Sequence, residues 1–389
     1  MSLREFSPPR YVVTIAERLA QLGGKPHYVG GAVRDAIIGR KPHDYDLASS
    51  LSPDDVQRAF NNVVLTGAKH GTVTVVTDDG NAEVTTFRSD GSYADGRHPN
   101  SVTFVPSIQL DLARRDFTMN AVAIDAMTGA IVDPHGGMQD ALDCIVRTVG
   151  EPRLRFAEDG LRVMRAVRFA AQLGFNIDAS TLAAIGPKPL TGVSAERIRD
   201  ELLKVLSSAD PASGIALLCT TGIMKYLIGD SLTLSFVSAA PSLASIDIPM
   251  RLAAAACRGS VGSDVGVELK RLLKVDSRDA QLCSNAARAI VMLREDHGLR
   301  GVRAALSSLG RDAVVIAALL EHDSIIVSAS RAEPIIIARS LPFNGDDIMR
   351  MTGVTGSAVG AVIRKAVNAA ICEPCLLADS DRLLALAHA

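Results

Sequence analysis

The sequence predicts an α+β fold, because strand patterns and helix patterns occupy different parts of the chain. The segments 63–65, 71–76 and 82–87 are rich in Val and Thr, and the turn sequence Asp-Asp-Gly-Asn separates the last two. From about Pro211 onward, alanine- and leucine-rich segments follow one another at helical periodicity, with short Gly, Ser or Pro breaks. We therefore expect a small sheet in the N-terminal part of the chain and a helical remainder.

The stretch from Tyr28 to Asp46 follows a predicted helix over residues 10–22 and has the pattern of a strand, a turn, a helix and a second strand. Gly30 and Gly31 permit a close backbone approach, and the amides of the following helix point back at this turn. Arg34 lies in the first turn of that helix, where its guanidinium can bind two phosphate oxygens at once. The turn therefore predicts a polyphosphate site.

Asp44 and Asp46 stand on either side of a tyrosine at the end of this stretch. If residues 44–47 are extended, the two carboxylates share one face and form a site for a hard cation. A lone glycine pair or a lone Asp-x-Asp is usually structural. The two motifs in this order point more strongly to metal-assisted chemistry on a phosphate.

Two later segments of the sheet region are less decisive. Glu83 is an acid in an otherwise apolar and β-branched strand, and the residues alone favour a side chain that faces solvent. Residues 88–100 are polar, glycine-rich and without periodicity, so they predict a mobile loop.

Arginines and acids stand side by side in two further segments. The first is RRDFTMNA, which places Arg115, Asp116 and Asn120 among core-type residues. The second is a predicted helix over residues 153–175, on which polar side chains fall at spacings of three and four along one face. These are Glu158, Asp159, Arg162, Arg165 and Arg168. As simple surface salt bridges, such pairs would each contribute less than about 1 kcal/mol.

The composition limits the kinds of partner. The 389 residues are enough for two or three domains, and the net charge of −2 does not indicate a nucleic-acid binder. A basic surface must therefore come from segregated charge, and residues 147–168 carry six arginines against three acids. With 4% aromatic residues and no tryptophan, an extended base-stacking platform is not expected. Contact with RNA would depend on shape and phosphate.

The six cysteines are scattered, without the spacing of a disulfide framework or a zinc ribbon. They predict reduced thiols in a cytoplasmic protein, with Cys372 and Cys375 as an incidental C-x-x-C pair. No stretch is expected to be long and apolar enough to span a membrane, and the N-terminus lacks a signal pattern. No obligate protein partner is evident.

The motifs GGAVRD, Asp-x-Asp, RRDFTMNA, DPHGG and EDxxR together resemble the polymerase β-type nucleotidyltransferase superfamily, in its branch of class II tRNA nucleotidyltransferases and bacterial poly(A) polymerases. The resemblance implies a head domain with a small mixed sheet over residues 1–145. It also implies an all-α neck over 146–208 for nucleotide recognition, and a helical body and tail over 209–389 that bind tRNA. In the tRNA enzymes, a flexible element at the position of residues 88–100 matters for adding the final A.

The resemblance also implies roles for the site residues. Asp44 and Asp46, with Glu83 as the third carboxylate, would hold two Mg²⁺ ions. Arg115 would contact the nucleotide, while Asp116 and Asn120 organise the site. The remaining nucleotide-binding residues would be Gly30, Gly31, Arg34, Glu158, Asp159, Arg162, Arg165 and Arg168.

Asp159 and Arg162 have a chemical reason to read a base. Cytosine and adenine both present an exocyclic amine beside an unprotonated ring nitrogen, whereas uracil and guanine present a carbonyl beside a ring N–H. One carboxylate and one guanidinium therefore accept C and A and reject U and G. A mispairing would leave a buried charge unsatisfied, at a cost of about 2 to 5 kcal/mol.

By this resemblance, the function is template-independent addition of CCA to the 3′ end of tRNA from CTP and ATP, with release of pyrophosphate. A poly(A) polymerase would share every head motif but would use ATP alone. An enzyme that adds only CC or only A is a further alternative. A non-catalytic RNA-binding protein on the same scaffold is disfavoured because both aspartates are present.

Overall fold

The computed structural model describes residues 6–42, 44–67, 71–91, 102–257 and 264–388. The chain divides into two compact units, Met1–Ser208 and Ala209–Ala389. The boundary between the predicted head and the predicted neck, at residue 145, falls within the first unit and stays a prediction.

A seven-stranded mixed sheet organises the first unit. Its order is β3-β4-β5-β2-β1-β8-β9, in which β2 and β5 are parallel and the other neighbours antiparallel. The strands are β1 (His27–Val29), β2 (Asp46–Ser49), β3 (Val63–Gly67), β4 (Thr72–Thr77), β5 (Gly80–Thr86), β6 (Arg88–Asp90), β7 (Val102–Phe104), β8 (Ala123–Asp125), β9 (Ile131–Val132), β10 (Ile145–Val146) and β11 (Asn176–Ile177). The pairs β6–β7 and β10–β11 form two small separate sheets. The predicted α+β fold with a mixed-sheet head is confirmed.

Nine helices of the first unit surround these strands. They are α1 (Arg10–Gln21), α2 (Gly31–Ile37), α3 (Pro53–Ala59), α4 (Ile108–Ala113), α5 (Gly137–Leu142), α6 (Pro152–Glu158), α7 (Leu161–Leu173), α8 (Ala179–Ala184) and α9 (Ala195–Leu206), counted over the described part of the unit. A buried cluster joins the sheet to α4 through Val29, Ala48, Phe87, Ile108 and Leu112. This cluster fixes the ends of β1 and β2, where the glycine pair and Asp46 lie.

The helix predicted over residues 153–175 is instead two helices, because the chain breaks at Asp159 and Gly160. Asp159 has extended backbone angles, φ −138° and ψ 106°. A Cβ on Gly160 would lie 1.7 Å from the carbonyl oxygen of Pro189, so only glycine permits this close approach. Glu158 and Asp159 therefore precede α7, the helix that carries Arg162, Arg165 and Arg168.

Two other local expectations change. Residues 88–90, predicted as the start of a mobile loop, form β6 and pair with β7; residues 92–101 lie outside the described residues. Asp44 precedes β2 rather than lying within it. Ser194 occupies the N-cap of α9, but its side chain makes no capping hydrogen bond.

The second unit is helical throughout its described residues. Its helices are α10 (Pro211–Thr220), α11 (Ile223–Ala239), α12 (Arg251–Cys257), α13 (Val265–Leu273), α14 (Ser277–Glu295), α15 (Leu299–Leu309), α16 (Arg311–Leu320), α17 (Ser324–Ala332), α18 (Gly345–Thr352), α19 (Ser357–Cys372) and α20 (Ser380–His388). Asn344 caps α18 through the amides of Asp346 and Asp347. A short 3₁₀ turn, Ala338–Ser340, lies between α17 and α18.

One helical stretch of the second unit contradicts the expectation about membrane spans. Ile223–Ser245 is long and apolar enough to cross a membrane by length and composition alone. Half of its most apolar window is buried inside the protein, and Gly229 breaks the helix with a φ of 75°. Core helices pass the same test, so the stretch is weak evidence for a membrane.

Candidate active site

A cleft of about 590 Å³ in the first unit gathers most of the predicted site residues. The lining side chains from the sheet and from α2 are Arg34, Asp46, Glu83, Thr85 and Arg88. Those from the RRDFTMNA segment are Arg114, Arg115, Asp116 and Asn120. Those from α7, α9 and the break before α7 are Asp159, Leu161, Arg162, Arg165, Arg168, Phe169, Gln172 and Arg197. Gly30 and Gly31 also line the cleft.

The glycine turn lies between β1 and α2, as the sequence predicted. Gly30 is the N-cap of α2, with φ 73°, a conformation that disfavours other residues. A Cβ at Gly30 would lie 3.4 Å from Nη1 of Arg115 and 3.5 Å from Oδ2 of Asp46. The backbone of Gly30, the guanidinium of Arg115 and the carboxylate of Asp46 therefore lie close together at this turn.

Asp46 and Glu83 lie on neighbouring parallel strands. Leu47 is opposite Val84 in the β2–β5 pairing, which puts Asp46, at the start of β2, level with Glu83 in the middle of β5. Burial raises the pKa of Asp46 to about 6; the negative charge of Glu83 adds to this, Arg115 opposes it, and Asp44 contributes a smaller increase. The site thus concentrates negative charge that a cation would neutralise.

Asp44 takes a different position from the one expected. It is exposed and is not among the residues that line the cleft, although its charge still acts on Asp46. Within the described part of the chain, no three His, Cys, Asp or Glu side chains are grouped closely enough to hold a metal ion. The carboxylate oxygens nevertheless fit a hard cation in kind, because Asp46 and Glu83 line one cleft and interact electrostatically.

A chain of hydrogen bonds connects α2, the helix after the glycine turn, to α7. Asp116 is buried and accepts hydrogen bonds from Nε and Nη2 of Arg165, at 2.8 and 2.5 Å, and from Nδ2 of Asn120 at 3.2 Å. Oδ1 of Asn120 in turn accepts from Arg34 at 3.0 Å. Burial alone would raise the pKa of Asp116, but the charge and hydrogen bonds of Arg165, aided by Asn120, hold it well below its usual range.

Arg162 is held firmly at the wall of the cleft. Its Nη1 donates to Glu158 at 2.5 Å and to the carbonyl of Arg155 at 2.9 Å, and its Nη2 donates to the carbonyl of Arg114 at 3.2 Å. Glu158 also accepts from Arg155 at 2.9 Å and does not line the cleft. Glu158 therefore supports Arg162 in this structure rather than facing the cleft itself.

Arg168 lies over the ring of Phe169, with 4.1 Å from its central carbon to the ring centroid. Its Nε forms an ion pair with Glu201 of α9 at 2.6 Å, and Lys204 contacts the other oxygen of Glu201 at 3.0 Å. The guanidinium groups of Arg34 and Arg165 also lie near this ring, at 5.3 and 5.4 Å. The guanidinium groups of these three arginines thus all lie around the ring of Phe169.

Sequence reasoning missed four charged residues of this site: Asp111, Arg197, Glu201 and Arg88. Asp111 holds the two arginines of RRDFTMNA, while Arg197 and Glu201 contact Asp159 and Arg168 from α9. A signal for Asp111 was present, since it falls beside Ile108 and Leu112 on the apolar face of α4. Arg197 and Glu201 are four residues apart on one helical face, but that spacing does not indicate which residues they contact.

Comparisons with known proteins agree with this geometry. Residues 27–147 match the Poly A polymerase head domain, and residues 174–230 match the probable RNA and SrmB-binding site of polymerase A. The chain is 30% identical to the CCA-adding enzyme of Bacillus stearothermophilus, solved in complex with CTP, with a TM-score of 0.80 over 97% of this chain and 98% of that one. The chain belongs to the CCA-adding enzyme and poly(A) polymerase family.

Curated members of the family support the same assignment over part of their length. A CCA-adding enzyme of Geobacillus thermodenitrificans is 46% identical over 58% of this chain and 56% of that protein. A second, from Geobacillus stearothermophilus, is 44% identical over 64% of this chain and 59% of that protein. The chain thus matches somewhat more than half the length of these curated family members. The fold of the CCA-adding enzyme of Thermotoga maritima is also shared, with a TM-score of 0.74 at 20% identity.

Proposed function

We propose that this protein adds CCA to the 3′ end of tRNA without a nucleic-acid template, using CTP and ATP and releasing pyrophosphate. The proposal is supported by one cleft, which is lined by the carboxylates of Asp46 and Glu83, by the glycine turn, and by Asp159 and Arg162. Family relatives named CCA-adding enzymes support the choice of reaction. We also propose that the protein acts in the cytoplasm.

Nucleotide binding would divide between the two ends of the cleft. The amides at the start of α2 and the guanidinium groups of Arg34, Arg115 and Arg165 would bind the triphosphate. At the other end, Asp159 and Arg162 would contact the base. Arg162 is fixed by three acceptors, and Asp159 accepts from the amide of Leu161 at 3.1 Å, so both groups are oriented before a base arrives.

This pairing would select bases by hydrogen-bonding pattern. The carboxylate of Asp159 accepts from the exocyclic amine of C or A, and Arg162 donates to the neighbouring ring nitrogen. Uracil and guanine would set a carbonyl against the carboxylate and an N–H against the guanidinium. Rejection then follows from unsatisfied buried charge and needs no template.

The acidic residues Asp44, Asp46 and Glu83 would hold two Mg²⁺ ions. When bound, these ions would activate the terminal ribose hydroxyl and neutralise the triphosphate and its leaving group. The protein's own contribution is position and charge: Asp46 and Glu83 face the cleft, and Arg115 beside Gly30 limits where a phosphate can lie.

The deciding experiment supplies a tRNA that ends before CCA with CTP alone, ATP alone, and both, and then sequences the 3′ ends. We expect CC with CTP and CCA with both nucleotides. Long A tails with ATP alone would identify a poly(A) polymerase, and arrest at CC with both nucleotides would identify a CC-adding enzyme. Addition of A only to a tRNA already ending in CC would identify an A-adding enzyme, and no Mg²⁺-dependent turnover would favour a non-catalytic RNA-binding protein.

A further inference from the structure

Asp111 is a fully buried carboxylate between two arginines of the cleft. Its side chain is 0% exposed. Oδ1 lies 2.9 Å from Nε and 2.8 Å from Nη2 of Arg114, and Oδ2 lies 3.3 Å from Nη2 of Arg115. The backbone N–H of Arg88 also donates to Oδ1, at 3.4 Å. One carboxylate thus connects three residues that line the cleft.

The position of Asp111 follows from the short helix α4. Ile108 and Leu112 pack into the core cluster beside β1, and Asp111 lies on the same side of the helix. A carboxylate placed there has lost its water and is costly unless charged partners replace that water. Arg114 and Arg115 supply those partners, and their guanidinium groups are thereby fixed at the cleft.

Arg115 has a second acidic neighbour in the cleft. Its Nη1 donates to the carbonyl of Asn120 at 3.3 Å and lies at the Gly30 turn, where Oδ2 of Asp46 also lies. If Asp111 lost its charge, Arg115 would be free to move toward Asp46. Arg115 would then be unavailable to bind a phosphate. It would also compete with a cation for the carboxylate of Asp46.

We propose that Asp111 is a positioning residue for nucleotide binding, which holds Arg114 and Arg115 toward the triphosphate end of the cleft. The inference rests on the proposed function, because it takes the ligand to be a nucleoside triphosphate. It predicts an effect that is common to CTP and ATP, since the phosphates are shared and the bases are read elsewhere by Asp159 and Arg162.

The test compares Asp111→Asn with Asp178→Asn in the full-length protein. Asp178 is the matched control, because it also pairs with an arginine, Arg147 at 2.6 Å, but does not line the cleft. Titration calorimetry with CTP and with ATP should show affinity about 10-fold weaker for Asp111→Asn, and unchanged for Asp178→Asn. In tRNA extension, the KM for both nucleotides should rise by the same factor while kcat changes less than about 3-fold.

Asp111→Glu covers the case in which Asp111→Asn does not fold. It keeps the charge but moves the carboxylate by one methylene, so the protein should fold and still bind both nucleotides more weakly than the wild type. Wild-type affinity in a folded Asp111→Glu or Asp111→Asn protein would overturn the inference, as would a loss confined to CTP. A wild-type protein that binds CTP but does not extend tRNA would refute the proposed function and leave the affinity comparison valid.

Discussion

Nη2 of Arg197 lies 3.2 and 3.4 Å from the two carboxylate oxygens of Asp159, across 38 residues of sequence. Asp159 lies at the break between α6 and α7, where its side chain accepts one hydrogen bond from the amide of Leu161 at the start of α7. Arg197 on α9 supplies a second constraint from outside the motif. The carboxylate proposed to read the base therefore depends on a residue that never needs to touch the base.

The first prediction concerns base selectivity. Asp159→Ala should reduce the preference for CTP over UTP, because it removes the carboxylate that repels the carbonyl of uracil. Arg197→Met should reduce the preference by about 10-fold, because the carboxylate of Asp159 is then no longer held in one position. The measurement is kcat/KM for CTP and for UTP on a tRNA ending before CCA. Arg199→Met on the same helix is the control, since its guanidinium pairs with Asp200. Unchanged selectivity in Asp159→Ala would remove Asp159 from the base-reading role.

The second prediction concerns the exposed aspartate. Asp44→Asn should abolish nucleotide incorporation while tRNA binding, measured by gel shift, stays within about 2-fold of the wild type, because a side chain that holds a cation contributes to chemistry more than to RNA affinity. Asp54→Asn on α3 is a matched exposed control. Loss of tRNA binding together with incorporation would mean that the metal site has been misplaced.

The third prediction is that removing the Asp46 charge stabilises the protein in the absence of metal. The folded pKa of about 6 exceeds the ordinary aspartate pKa of 3.8, so the folded state binds more protons between these values, and stability falls as pH rises through that window. At pH 7 with EDTA, Asp46→Asn should raise the free energy of unfolding by about 1 to 3 kcal/mol. Urea denaturation at pH 7 and pH 4 measures the free energy of unfolding, and the difference between Asp46→Asn and wild type should be smaller at pH 4. An Asp46→Asn protein that is less stable than wild type at pH 7 would contradict the raised pKa of Asp46.

Much of this site could be predicted because its chemistry lies in short motifs. The glycine turn at Gly30, the strand that begins at Asp46 and the arginines of α7 occur where local spacing indicates them. The break at Asp159 was missed, and the close approach that requires glycine at 160 involves the carbonyl of Pro189, which lies 29 residues further along the chain. The contact of Arg197 was missed for a similar reason, since its partner Asp159 lies 38 residues earlier in the sequence. The contacts of Asp111 could have been predicted, because Arg114 and Arg115 lie at the helical spacings of three and four residues from it.

The fourth prediction concerns acid stability. Asp116 has a folded pKa well below its usual range, so its contribution is present above the unfolded pKa of about 4 and is lost as pH falls below that value. Asp116→Ala should lower the free energy of unfolding at pH 7 by about 3 to 5 kcal/mol, since it leaves Arg165 without its buried partner. The difference from wild type should narrow between pH 4 and pH 2, as measured by urea denaturation. A difference that is constant with pH would show that Asp116 acts through packing alone.

The last prediction concerns the helix break that carries Asp159. Gly160→Ala should lower the free energy of unfolding by about 1 to 3 kcal/mol or more. The new methyl group would lie 1.7 Å from the carbonyl oxygen of Pro189, so the backbone there must shift. Gly186→Ala is the matched control: no atom lies within 4 Å of its added Cβ, and the change should be neutral or slightly stabilising. If the protein folds, Gly160→Ala should also lose selectivity between CTP and UTP, because Asp159 moves with the break. If the two variants were equally stable, the backbone at Pro189 would be able to move at little cost in free energy. The position of Asp159 would then not depend on this contact.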